Sequence, residues 1–170
     1  MSDVFSGYHI NDNDHEHPFD MLIQPVGITL PTTSDPAKTK VNQVSCGRAH
    51  TLALTDHDEI FSLGDNSHGQ CGRDIVEDED YLMNHGVIHR ILGPWGQDEK
   101  VCSIVCGQDH SLFVTSLGKV YSCGWGSDGQ TGLGHLNTSS EIGEIKGDIK
   151  GENIVKVSSK VDCVLALNGE

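Results

Sequence analysis

Residues 41–72, with the sequence VNQVSCGRAHTLALTDHDEIFSLGDNSHGQCG, occur a second time in this chain in related form. Residues 101–132, VCSIVCGQDHSLFVTSLGKVYSCGWGSDGQTG, align with them without a gap, at a shift of 60 positions. Of the 32 aligned pairs 12 are identical, and their first members are Val41, Cys46, Gly47, His50, Leu52, Thr55, Ser62, Gly64, Ser67, Gly69, Gln70 and Gly72. A repeat of this length indicates an architecture of similar structural units, so each motif must be judged in both copies.

Each copy contains the pattern of a β-hairpin. TLALT and EIFSLG in the first copy, and SLFVT and KVYSCG in the second, are short β-prone runs. The turn between them holds Asp58 in one copy and Gly118 in the other, two residue types that tolerate a left-handed backbone. An apolar run before each hairpin, 41–47 or 101–107, supplies a further strand. We therefore predict an all-β protein built from antiparallel sheets.

His50 and His110 occupy the corner between that first strand and the hairpin. At such a corner an imidazole can hydrogen-bond backbone groups that the turn leaves unpaired. A catalytic residue is not normally repeated in every structural unit. We therefore expect both histidines to brace the corners and not to take part in catalysis.

The second copy also contains G-x-G-x-x-G, the spacing of a dinucleotide-binding loop, at Gly124, Gly126 and Gly129. The first copy has Asn66 where the second has Gly126, so the spacing is not shared. In a dinucleotide-binding fold these glycines open a helix. The following residues, QTGLGHLNTSS, instead bring two more glycines with capping and β-branched residues. We predict no helix there and no cofactor.

The charge of the chain disfavours direct binding to nucleic acid. The chain has 11 Lys and Arg residues and 25 Asp and Glu residues, which gives a formal net charge of −14 and would repel a polyanion.

No stretch approaches the roughly 20 apolar residues that cross a bilayer, so no transmembrane segment is expected. The first 20 residues are acidic and contain no Arg, unlike an organelle transit peptide, and by themselves they suggest a cytoplasmic protein.

The cysteines indicate buried thiols in a reducing compartment. None of them forms a C-x-x-C pair, and most lie in apolar runs, where a thiol behaves as a small hydrophobic group. A zinc site would have to combine Cys102 and Cys106 with histidines, at a spacing that matches no common structural site. We predict no metal site.

The remaining segments are arranged around the two copies. We predict a poorly ordered acidic segment at 1–18, the closing part of a preceding repeat at 19–40, a repeat with an acidic insertion at 41–100, a second repeat at 101–152 and a truncated third repeat at 153–170. In the insertion, VIHRIL is expected to be an outer strand and Trp95 a packed loop anchor. The third repeat has Lys160 and Cys163 where the second has Gly107 and His110.

The pattern C-G-x-x-H-[ST], a hairpin and then G-x-[ND]-x-x-G-Q-x-G resembles the regulator of chromosome condensation repeat. The match is strong over 41–72 and 101–134 and weak over 19–40 and 153–170. This resemblance implies a seven-bladed β-propeller of four-stranded blades. Two complete and two partial copies cannot close such a ring, so we expect a partial β-propeller, a fragment with unpaired strand edges.

The stretches VSCGRAHTLALTD and NSHGQCGR, with the second copy, are similar to the mitochondrial branch of that family. This similarity implies a mitochondrial protein of the inner-membrane surface or matrix. It also implies two kinds of partner, a small or dynamin-like GTPase and mitochondrial ribosome components.

The function that the resemblance implies is guanine-nucleotide exchange. An exchange factor breaks no covalent bond, so no catalytic residue is predicted; it binds the nucleotide-free GTPase more tightly than the loaded form. Polar loop residues could engage the phosphate-loop lysine of the GTPase or crowd its magnesium site. The candidates are Asp65, Asn66, His68 and Asp128. Asn66 and Asp128 could instead accept backbone hydrogen bonds within their own turns.

Two other functions stay open. A propeller scaffold that holds protein partners, such as ribosome assembly components, would leave nucleotide equilibria unchanged, and the fold alone cannot choose between the two. A hydrolase or metalloenzyme would need an activated Ser, Cys or carboxylate pair, and none is distinguishable from the structural residues of the repeat.

Overall fold

The computed structural model describes residues 4–5, 27–79 and 88–169, and these residues form β-strands joined by short connections. The strands are β1 (Val4–Phe5), β2 (Gly27–Ile28), β3 (Val41–Cys46), β4 (His50–Thr55), β5 (Ile60–Gly64), β6 (His89–Ile91), β7 (Val101–Cys106), β8 (His110–Thr115), β9 (Val120–Gly124), β10 (Ser139–Glu144), β11 (Ile154–Lys160) and β12 (Cys163–Asn168). Among the described residues the one helix is a 3₁₀ turn, Gly147–Ile149. The predicted all-β class is confirmed. The predicted segment 1–18, apart from β1, and the part of 19–40 before Gly27 lie outside the described residues.

The described strands form two four-stranded antiparallel sheets and two separate strand pairs. The sheet orders are β3-β4-β5-β6 and β7-β8-β9-β10, while β11 pairs with β12 and β1 with β2. His50 pairs with Gly64 in the first sheet, as His110 pairs with Gly124 in the second. The register shifts near the start of β3, β7 and β11 alike. The 60-residue repeat of the sequence is therefore also a repeat of the backbone.

The hairpin turns have the predicted left-handed residues. Asp58 has a φ of 60° and Gly118 a φ of 72°. Their amides donate to Thr55 O at 3.2 Å and to Thr115 O at 3.0 Å. The same turn is thus built from Asp in one copy and from Gly in the other.

Each sheet buries one face against the next sheet. Leu52 of the first sheet belongs to one buried cluster with Ile104 and Phe113 of the second. Leu112, from the second sheet, shares another cluster with Ile154 of the β11–β12 hairpin. The second sheet is covered on both faces, and every residue of β8 is buried. Four-stranded antiparallel sheets that stack in this way are blades of a β-propeller.

The connection between the first two sheets contains both features predicted for it. VIHRIL provides the outer strand β6. The Trp95 ring lies with its centroid 5.7 Å from that of Phe113 and 6.0 Å from that of Tyr121, so it anchors the connection as predicted. Residues 74–78 of the acidic run are exposed, and residues 80–87 lie outside the described part of the chain.

Gly107 provides a test of the corner packing. A Cβ atom at this position would overlap with Cε1 and Nε2 of His110. Gly107→Ala is therefore expected to lower the free energy of unfolding by about 1–3 kcal/mol, measured by urea denaturation. Gly96→Ala is the control, because no atom lies within 4 Å of its Cβ position. Equal stability of the two variants would contradict the corner packing.

Candidate partner-binding site

Two loops at equivalent positions of the first and second sheets form the candidate site. Residues 64–72, the first glycine loop, follow β5, and residues 124–132, the second glycine loop, follow β9. Gly69 and Gly129 have φ values of 77° and 81°, a region that glycine adopts without strain. Because His50 pairs with Gly64 at the end of β5, each loop lies beside the histidine corner of its sheet. We call this edge of the sheets, with its loops and corners, the loop face.

Two of the four predicted residues, Asp65 and Asn66, are buried within the first glycine loop. Asp65 and Asn66 are only 6% and 2% exposed. The Asp65 carboxylate accepts hydrogen bonds from the Ser67 amide at 2.9 Å and from the Gln70 side chain at 3.2 Å. The Asn66 side-chain oxygen accepts from the Cys71 amide at 3.0 Å. Both side chains stabilise their own loop and are not on the surface.

The other two predicted residues, His68 and Asp128, occupy the same position of the two loops. Asp128 is exposed, and His68 is half-buried against the neighbouring loop. The edge of the His68 ring meets the Trp125 ring, with the centroids 4.7 Å apart and an angle of 65° between the planes. The two glycine loops therefore touch across the boundary between the sheets.

Trp125 was missed by the sequence prediction. Its signal was present, since Trp125 stands where the first copy has Asp65. A tryptophan in a surface loop is typical of the residues that contribute most to protein binding. The structure adds it to His68 and Asp128 as a candidate contact.

A repeated glutamine holds the exposed position of each loop. Gln70 Oε1 accepts the His68 amide at 2.8 Å, and Gln130 Oε1 accepts the Asp128 amide at 2.9 Å. Both glutamines are buried. The glutamine, which is identical in the two copies, is thus internal and fixes the backbone of the variable residue, the half-buried His68 or the exposed Asp128.

The two corner histidines link each sheet to the next. His50 Nε2 lies 3.0 Å from Ser111 Oγ, and His110 Nε2 lies 3.1 Å from Ser159 Oγ. The Ser111 hydroxyl donates to Gln70 O at 2.6 Å, so His50 Nε2 is the donor in its own bond. The histidines brace the corners as expected, but their partners differ from the expected backbone groups.

The reason for the difference is local. The corner amides Gly47 N and Gly107 N already donate to His50 O and His110 O, at 2.8 and 2.9 Å. The backbone of the corner is therefore satisfied without the imidazole. The ring is free to donate to a serine of the following sheet.

His50 and Ser111 are as close as a catalytic base and its nucleophile, but they lack the solvent access and the free hydroxyl that catalysis needs. Neither residue is open to solvent, and the serine hydroxyl donates to Gln70 O.

Burial raises the pKa of the Cys71 and Cys106 thiols to about 12, which keeps both protonated at neutral pH. Across the described ranges, no group of three or more His, Cys, Asp or Glu side chains is placed to hold a metal ion.

The opposite edge of the second sheet contains a cavity of about 610 Å³. Its buried acid, Glu99, accepts from Thr115 Oγ1 at 2.7 Å and lies 3.5 Å from Lys119 Nζ. Burial raises the pKa of Glu99, but the Thr115 hydroxyl, the Gly96 amide and the Lys119 charge together hold it below its ordinary value. The carboxylate is satisfied within the fold and ties the connection before β7 to the second sheet.

Comparison with known families now identifies the repeat. The family described as regulator of chromosome condensation (RCC1) repeat matches residues 41–70 and 101–130. This chain carries RCC1 repeats. The resemblance stated from the sequence is thereby confirmed, and the two matched segments each contain a corner histidine and most of a glycine loop.

Relatives with RCC1 repeats extend the match to nearly the whole chain. A mouse protein named RCC1-like G exchanging factor-like protein is 51% identical over 164 residues, which are 96% of this chain and 34% of the mouse protein. A human protein of that name is 48% identical with the same coverage. The crystal structure of human WBSCR16 matches with a TM-score of 0.78 at 50% identity, covering 86% of this chain and 35% of that one. The chain thus spans about a third of the length of these relatives.

A more distant RCC1-type structure shows the fold alone. The crystal structure of Prp20p from Saccharomyces cerevisiae matches with a TM-score of 0.67 at 20% identity, covering 89% of this chain and 36% of that one. The predicted fold, a part of a β-propeller with four-stranded blades, is confirmed. In the described part of the chain, no helix has the length and apolar character needed to span a membrane.

His50 predicts how stability depends on pH. Burial is the main cause that lowers its pKa to about 4. In the unfolded chain the histidine pKa is near 6.5, so between about pH 6.5 and 4 this residue is protonated in the unfolded state and neutral in the folded state. The free energy of unfolding therefore falls as the pH drops through this range. We expect a loss of about 3 kcal/mol over that range relative to His50→Gln, which does not titrate and still offers a donor to Ser111. Urea unfolding at several pH values measures it, and equal pH slopes for the two proteins would contradict it.

Proposed function

We propose that these RCC1 repeats form part of a guanine-nucleotide exchange factor that stabilises the nucleotide-free state of a mitochondrial GTPase. The observation that carries the proposal is the 51% identity, over 96% of this chain, with a mouse relative named as a G exchanging factor-like protein. An alignment of that length runs through both glycine loops. The loop face is therefore the surface to which we assign the contact.

Exchange requires a binding surface and no reacting group. A protein that binds the empty GTPase more tightly than the loaded one must, by reciprocity, weaken nucleotide binding by the same factor. The loop face suits this role, because the side chains of His50, Ser111 and Gln70 are engaged inside the fold. Its exposed groups act only by contact.

Within this proposal Asp128 has the most direct role. It is an exposed carboxylate on a loop whose backbone is fixed by Gln130. A carboxylate can pair with the phosphate-loop lysine of a GTPase and so compete with the nucleotide phosphates. His68 and Trp125 form an aromatic surface beside it, on which a partner side chain can pack. The formal charge of −14 further favours approach to a basic surface.

The compartment is part of the same proposal. The resemblance to the mitochondrial branch of the family supports a mitochondrial GTPase, of the small or the dynamin-like kind.

A scaffold that binds protein partners without altering nucleotide equilibria is the second candidate. The observation that favours it is the burial of Asp65 and Asn66, which removes two of the four predicted polar contacts from the surface. Mitochondrial ribosome components are then the partners that the family resemblance suggests.

A nucleotide-release assay separates the two functions. The chain is added to purified mitochondrial GTPases, one dynamin-like and one small, each loaded with a fluorescent GDP analogue. We expect the chain to lower the affinity of the GTPase for the analogue by about 5- to 150-fold, the usual range for coupled binding sites, and to speed its release. Asp128→Asn should lose most of this effect, and Asp148→Asn should keep it, because Asp148 is an exposed acid after β10 at the opposite edge. Unchanged release at saturating protein would reject exchange and favour the scaffold.

Trp125 predicts an effect on binding under either function. Trp125→Ala should weaken binding of the partner by about 2 kcal/mol or more, as expected for a central interface tryptophan. Leu92→Ala is the matched control, since Leu92 is 80% exposed but lies at the opposite edge. Titration calorimetry with the nucleotide-free GTPase, or with the ribosomal partner, measures both. If the two variants bind alike, the loop face is not the contact.

A further inference from the structure

The two glycine loops differ in how their glutamines are held. In the first loop, Gln70 Nε2 donates to Asp65 Oδ2 of the same loop at 3.2 Å. The second loop has Trp125 at the position of Asp65, so this acceptor is missing. Gln130 Nε2 instead donates to Asp162 Oδ1 at 3.1 Å, between β11 and β12. Only the second glycine loop is thus joined through its glutamine side chain to the next sheet.

Asp162 is available for this bond because of a second difference between the copies. Asp162 lies at the corner position that Asp109 occupies in the second sheet. The Arg48 guanidinium of the first sheet binds Asp109 with both Nε and Nη2 at 3.0 Å from Oδ1. The second sheet has Gln108 in place of Arg48, although the backbone link of each corner to the next, through Arg48 N and then Gln108 N, is kept at 2.9 Å. Asp162 therefore receives its donor from the glycine loop and not from the corner.

We propose that Gln130 is a positioning residue for the partner contact made by Asp128, and that Asp162 sets its orientation. This rests on the proposed function of Asp128. An ionised carboxylate only accepts hydrogen bonds, so Asp162 selects the Nε2 end of the Gln130 carboxamide. The opposite end, Oε1, is then turned towards the Asp128 amide, which it accepts at 2.9 Å. The buried Gln130 carboxamide thereby couples the position of the β11–β12 corner to that of the Asp128 backbone, which carries the exposed carboxylate.

The consequence is that the β11–β12 hairpin acts on partner binding without touching the partner. Gln130 is 7% exposed, so a flipped or released carboxamide would leave a buried donor and acceptor unpaired. The loop carrying Asp128 would then lose its fixed backbone. The first glycine loop is independent of this effect, because Gln70 finds its acceptor locally.

An exchange of donor and acceptor tests the link. Gln130→Glu places a carboxylate opposite Asp162 and removes the donor, while keeping an acceptor for the Asp128 amide. Adding Asp162→Asn supplies an amide donor and restores the bond in the reverse direction. Amide hydrogen exchange of the free chain reports the Asp128 backbone, and calorimetry reports affinity for the nucleotide-free GTPase. The Leu52 amide in the first sheet is the internal control for folding, and Asp148→Asn is the matched charge control.

We expect Gln130→Glu to speed exchange of the Asp128 amide about tenfold and to weaken GTPase binding about tenfold, with Leu52 unchanged. The double variant should return within about threefold of the wild type in both measurements. A double variant no better than Gln130→Glu, or an Asp128 response without a change in affinity, would overturn the proposal. If Gln130→Glu does not fold, Asp162→Ala removes the same bond from the other side and must give the same two effects. If the wild-type chain binds no GTPase but exchange of the Asp128 amide still changes in the variants as expected, the proposed function is rejected and the Gln130–Asp162 link is not.

Discussion

The burial of one sheet against the next is the constraint on which the rest of the molecule depends. Leu52 of the first sheet and Phe113 of the second belong to the same buried cluster. A single sheet therefore has no core of its own, because the core lies between neighbouring sheets. Such a contact repays the entropy of ordering the strands only when the next sheet is present. The connections, the corners and the glycine loops are therefore placed by the stacking of sheets and not by any single one.

The histidine and the glutamine shared by the two copies serve the internal structure of the repeat. His50 and His110 donate to serines of the following sheets, and Gln70 and Gln130 hold the backbone of their loops from inside. These side chains are buried, so their recurrence reflects the geometry of the repeat. The candidate contacts are instead residues that differ between the copies: His68, Asp128 and Trp125.

The fold was predictable because the repeat provides its own control. A turn that accepts Asp58 in one copy and Gly118 in the other is identified by what the two residues share, a left-handed conformation. The site was only partly predictable. Asp65 and Asn66 are residue types that often bind partners at a surface, but the sequence does not show that a tight loop buries both side chains. The Gln130–Asp162 bond was missed for the same reason, since it depends on which loop faces which neighbouring sheet. Trp125 was visible in the alignment as a departure from Asp65, but its contact with His68 was not.

Two departures from the repeat pattern meet in the bond between Gln130 and Asp162. Replacing Asp65 by Trp125 deprives the second glutamine of its acceptor, and replacing Arg48 by Gln108 deprives the third corner of its donor. The first change leaves the buried Gln130 side chain without its local acceptor, which would cost about 1–3 kcal/mol if nothing replaced it, and the second leaves the exposed Asp162 without an arginine partner. Present together, they let Gln130 and Asp162 satisfy each other. The same pair of changes places the half-buried Trp125 ring in the second glycine loop and ties the backbone of the exposed Asp128, through Gln130, to the next sheet.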